Sequence, residues 1–151
     1  MKKLRIAAII IVVLFLLGVI AVRVYHSHAE QKELEKLSCY KLYSSYFQIR
    51  DEYRVYYMVN PDHGKDTVVG ELLSDSYIEE IMTEMENTGH GEYPIIVYLI
   101  SPSDELPYGW KKSELNISAN FDLSVFHRNA YCTITIPVDA KSIHDCILEY
   151  R

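Results

Sequence analysis

The sequence is poor in the residues that usually mark a catalytic centre. It has six glycines, five prolines, three cysteines and a single tryptophan in 151 residues. No glycine-rich elbow precedes any serine or cysteine, and no histidine is accompanied by an orienting acid, so neither a triad nor a Cys–His nucleophile is expected. C-x-x-C and H-x-x-x-H spacings are absent, and with them the common zinc patterns. His127, Cys132, His144 and Cys146 hold the right residue types at the wrong spacing. On a helix, His144 and Cys146 would diverge by about 200°. We therefore expect no catalytic residue, no metal and no cofactor. Three cysteines in an exported chain permit one disulfide, Cys132–Cys146 for instance, and require none; buried free thiols fit better. His63 and His90 lie in turn-forming sequences whose glycines and asparagines need no functional explanation.

Charge is also missing from one long stretch. Ile6–Val22 is seventeen consecutive residues without a charge. As a helix it spans about 26 Å, close to the hydrocarbon thickness of a bilayer, and the stems of Arg5 and Arg23 can reach the two interfaces. A buried core helix would carry a polar face, which this run lacks. Ser27-His28-Ala29 offers a signal-cleavage site after Ala29, but the run exceeds an ordinary signal core and Arg23 intrudes before the site. The segment reads as an uncleaved signal-anchor. The chain then divides into a cytoplasmic n-region (1–5), a transmembrane anchor (6–23), a helical stalk (24–47) and an extracytoplasmic domain (48–151).

Four of the fifteen basic residues (Lys2, Lys3, Arg5, Arg23) belong to the anchor region, and none of the twenty-one acidic ones does. That leaves eleven basic against twenty-one acidic residues, a net charge of −10. Such a balance argues against nucleic acid and anionic lipid as ligands. Thirteen tyrosines suit half-buried strand faces, and also protein interfaces.

Hydrophobic periodicity predicts an α+β domain, a mainly antiparallel sheet with helices packed on one face. Residues 28–47 read as a helix leaving the membrane. Tyr53–Asn60 alternates as a strand and stops at Pro61-Asp62-His63-Gly64; Asp66–Leu73 reads as a short second strand, weakened by Gly70. A capping box at Ser76 and Glu79 opens a helix carrying Ile78, Ile81, Met82 and Met85 on one face, ended by Asn87-Thr88-Gly89. Glu84 and Glu86 sit at its negative end, where carboxylates are unfavourable. Pro94–Ile100 reads as a central strand buried on both faces. Leu115–Val125 alternates without a fault, as one long strand with a wet face. His127-Arg128-Asn129 would turn it back into Ala130–Ile136, and Ser142–Tyr150 reads as a short helix, with a terminal strand as the alternative.

The loop Asp104–Lys112 is the best site candidate. It joins the only tryptophan to a Pro-Tyr-Gly turn and two tandem lysines, and loops on a rigid sheet are where function concentrates. Tyr108, Trp110, Lys111 and Lys112 would form a partner-binding tip, aromatic residues being the usual anchors of interfaces. The alternative is that Trp110 tucks into the core. These features suggest a membrane-anchored protein-binding domain, of the immunity or accessory-subunit type. An envelope-acting enzyme, or a structural component of a surface assembly, are the competing classes. Basic residues crowd the amino-terminal side of the apolar run, so the N-terminus is expected in the cytoplasm. Protease added to intact cells should then digest the chain beyond Lys32; protection until lysis would reverse the orientation.

Overall fold

A computed structural model describes residues 2–109 and 123–151. The chain forms two compact units, Met1–Lys36 and Leu37–Arg151. The first is helix α1 (Lys2–Leu34). It is the one helix among the described residues long and apolar enough to cross a membrane, and its side chains from Ala8 to Glu33 are exposed.

The second unit is α+β. Strands β1 (Cys39–Phe47), β2 (Glu52–Val59), β3 (Ile95–Ile100), β4 (Ala130–Ile136) and β5 (Ile147–Tyr150) form one five-stranded sheet in sequence order. Neighbours run antiparallel except β2 and β3, which are parallel. Such a pair needs a crossover. Helices α2 (Lys65–Leu72) and α3 (Asp75–Asn87) supply it, and a short helix α4 (Ser124–Asn129) precedes β4.

Strand alternation gives the sheet two apolar faces. Val55, Val97, Leu99, Cys132, Ile134 and Ile136 meet α2 and α3 through Val68, Val69, Leu72, Ile78, Ile81 and Met85. Tyr56, Met58, Tyr98 and Ile100 point to the other face, covered by Leu106 and by Phe126 of α4. β3 is buried on both faces, as its continuous apolar run predicts.

Several local expectations are corrected. The segment 24–47, expected to be a helical stalk, is helical only to Leu34. Cys39–Phe47 is β1, because its tyrosines pair across the hairpin, Tyr46 opposite Tyr53 and Tyr43 opposite Tyr56, and aromatic cross-strand pairs outweigh the helix propensity of the preceding residues. Asp66–Leu73 is α2 and not a strand. Val68, Val69 and Leu72 share its buried side while Gly70 faces out. The cap of α3 is Ser74, which accepts from the Tyr77 amide at 3.3 Å; Ser76 lies inside the helix. Gly89, at φ 77°, ends that helix, with the His90 amide donating to the Met85 carbonyl. Glu84, misplaced for the helix dipole, finds Lys41 Nζ at 3.3 Å.

Residues 115–122 of the expected long strand lie outside the described residues, but its end does not. Ser124–Asn129 is helical, since Leu123 and Phe126 are three apart and both pack inward, and the Asn129 side-chain Nδ2 donates to the Val125 carbonyl at 2.8 Å. The expected turn at His127–Asn129 is therefore the end of α4. Of Ser142–Tyr150, only Ile143–Asp145 is helical, a 3-10 turn with the Ser142–Asp145 capping box; Ile147–Tyr150 is the terminal strand β5.

The α2 correction is directly testable. A Cβ at Gly70 meets nothing within 4 Å, so Gly70→Ala should stabilise the domain by about 0.5–1 kcal/mol in urea melts. Leu99→Ala, in the centre of β3, should cost about 2–5 kcal/mol. A destabilising Gly70→Ala would count against the helix.

Candidate functional site

β2 places Glu52, Arg54 and Tyr56 on one face, since alternate residues of a strand share a side. On this face, opposite α2 and α3, a cleft of about 480 Å³ opens between the β1–β2 turn and α4. It is lined by Phe47, Ile49, Arg50, Arg54, Tyr98, His127 and Arg151. Three arginines gathered in one cleft are notable on a domain whose net charge is negative.

Arg54 is the fixed point. It is 6% exposed, its guanidinium lies 3.7 Å over the Phe47 ring, and its Nε and Nη2 donate to Glu52 Oε1 at 2.6 and 2.5 Å. A buried guanidinium is stable only when paired and hydrogen-bonded, and Glu52 with the Phe47 face meets that demand. Arg54 also lies close enough to the Tyr56 hydroxyl to act on its ionisation.

Tyr56 carries the network onward. Its ring stacks on Tyr98, its partner in the parallel register, with centroids 4.9 Å apart and planes 14° apart. The Phe126 ring lies tilted against Tyr56, with centroids 5.0 Å apart. The Tyr56 hydroxyl lies 3.2 Å from His127 Nε2. Burial pushes the Tyr56 hydroxyl up to about 12, with Arg54 pulling the other way. Burial pushes the His127 imidazole down, and Arg54 and Arg151 add to the effect while Glu52 opposes it. The direction of the Tyr56–His127 hydrogen bond is set by the imidazole tautomer. The His127 carbonyl in turn accepts from Arg151 Nη1 at 3.3 Å, and the Arg151 guanidinium stands 5.9 Å from the Tyr98 centroid.

The lip differs in character. Ile49 is 86% exposed in the turn between β1 and β2, beside exposed Arg50 and next to Asp51 at φ 48°. No carboxylate of the described residues pairs with Arg50. With His127 neutral, three arginines face one glutamate among the described residues, and the site has the chemistry of an anion receptor with an apolar margin.

Of the residues expected at a partner-binding tip, Tyr108 is described. It is half-buried, its hydroxyl donates to the Leu37 carbonyl at 3.3 Å, and its ring stands edge-on to Tyr40 at 5.5 Å. Gly109 donates to the Tyr40 hydroxyl at 3.1 Å. These contacts tie the loop to the start of β1. Trp110, Lys111 and Lys112 lie outside the described residues. His127 and Cys132 are on opposite faces of the sheet, and all three cysteines are free thiols. Burial pushes Cys39 and Cys132 up to about 11.

The arginine cleft escaped the reading of the sequence because its parts are scattered. Arg50 lies in a hairpin turn and Arg54 in the strand after it, His127 is in a helix read as a turn, and Arg151 follows the last strand. The one local signal was the alternation that sets Glu52, Arg54 and Tyr56 on one side of the strand. No protein-family model, curated protein or solved structure matches the chain.

A depressed His127 has a consequence for stability. Its native form resists the proton that the unfolded chain accepts below its ordinary value of 6.5, so stability falls as pH drops through that value. His127→Gln removes this component. The stability difference between wild type and variant should therefore shrink from pH 8 to pH 5.5 in chemical denaturation. A constant gap would contradict the assignment.

Proposed function

We propose that the chain is a single-pass membrane protein with its N-terminus in the cytoplasm. Residues 37–151 then stand outside as a module that binds another protein, in the manner of an immunity protein or an accessory subunit of a surface complex. The apolar helix and the basic bias before it support the topology. The binding role rests on one observation above the rest: a fully exposed isoleucine stands at the lip of a cleft supplied with arginine donors. Exposed aliphatic surface beside charged donors is the composition of a recognition surface, where arginine is enriched and an apolar contact excludes water. An envelope-acting enzyme would ask this cleft for two carboxylates or a His–Cys pair. Among the described residues it offers one carboxylate, Glu52, already engaged by Arg54.

Site-specific photocrosslinking in intact cells tests the proposal. A benzophenone side chain in place of Ile49 should yield one discrete adduct with another protein. The same group in place of Glu79, exposed on α3, should yield none. Failure to crosslink from position 49 would remove the binding role.

A further inference from the structure

We infer that the arginine cleft receives a carboxylate from an acidic segment of the partner protein, with a neighbouring aliphatic side chain of that segment resting on Ile49 and Phe47. The inference deepens the protein-binding reading and rests on it. Four features carry it.

First, the donors are arginines. A guanidinium presents its N–H groups in a planar fork that matches a carboxylate two-to-two, which a lysine cannot do; Arg54 spends its Nε–Nη2 edge on Glu52, and exposed Arg50 keeps its fork open at the lip. Second, the central arginine is held in advance. Arg54 is pinned by Glu52 and the Phe47 ring, and Arg151 by the His127 carbonyl, so little side-chain entropy remains to be lost on binding. Third, the charge is modest. Glu52 offsets one of the three arginines and His127 is neutral, which suits a singly charged carboxylate better than a doubly charged phosphate. Fourth, the site is larger and greasier than a small ion needs. About 480 Å³ with Phe47 and Ile49 among its walls has room for a carboxylate side chain and part of its neighbour.

The acidic exterior does not defeat such contact. Beyond about 8 Å its repulsion is screened at physiological ionic strength, whereas charge-assisted hydrogen bonds inside a cleft are not. The geometry thus separates what the domain repels at a distance from what one place on it accepts.

The full chain in neutral-detergent micelles can be titrated calorimetrically with three probes: acetyl-Glu-Leu-Glu-amide, its glutamine counterpart, and inorganic phosphate. The acidic peptide should bind saturably, at least about tenfold more tightly than the glutamine peptide, as loss of a charge-assisted pair implies. Arg50→Ala should weaken it about tenfold without lowering the melting temperature, because Arg50 is exposed. Ile49→Ser should weaken the peptide and leave phosphate unchanged. Arg54 is unsuitable for substitution, since its loss strands Glu52. Phosphate binding as tightly as the peptide, indifferent to Ile49→Ser, would overturn the inference in favour of a phosphate or headgroup site. Equal binding of both peptides would overturn it outright. If neither holds a carboxylate while Ile49 still crosslinks in cells, the binding role stands and the carboxylate assignment falls.

Discussion

The parallel pairing of β2 with β3 is the constraint on which the rest of the domain depends. Parallel neighbours cannot be joined by a tight turn, so the chain must leave the sheet after Val59 and return before Ile95. α2 and α3 are that return path, and their apolar sides become the cover of one face. With one face closed, β3 sits at the centre and must be apolar on both sides. The other face then needs its own cover, which Leu106 and Phe126 provide. The same register sets Tyr56 level with Tyr98, and Tyr98, backed by the Tyr56 ring, lines the arginine cleft.

What was legible in the chain followed from long or unambiguous patterns. The uninterrupted apolar run before Arg23 and the i, i+3, i+4, i+7 face of α3 each admit one reading. The continuous run of β3 is too short for anything but a buried strand. Where the pattern was short, tertiary context decided. Val68 and Val69 are β-branched and suggested a strand, yet the crossover needed a helix there, and Leu72 completes its buried side. β1 followed helix formers and looked like their continuation, until pairing with the tyrosines of β2 gave its own tyrosines partners. Leu123, Ser124 and Val125 alternate like the residues before them, but Phe126 has a slot against Tyr56 that only a helical turn fills.

The cleft illustrates a second limit. Arg50, Arg54, His127 and Arg151 are spread over a hundred positions, and no spacing rule connects them. They meet because β2 is an inner strand, α4 lies across its far face, and Arg151 continues the β4–β5 ladder through the Tyr131 carbonyl, with its guanidinium 5.9 Å from the Tyr98 ring centre. Net charge points away from such a site, since a balance of −10 gives no hint that three arginines share one concavity. Averages over a surface say little about a place where burial and pairing set the local potential.

The three free thiols carry one further consequence. The thiolate, and not the thiol, is the species that attacks disulfides and oxidants. With Cys39 and Cys132 raised to about 11, roughly one molecule in ten thousand carries either as thiolate at neutral pH. At these two positions the folded domain is thereby slow to enter thiol–disulfide exchange. Burial that serves the packing of the sheet thus also protects Cys39 and Cys132 from being drawn into mixed disulfides.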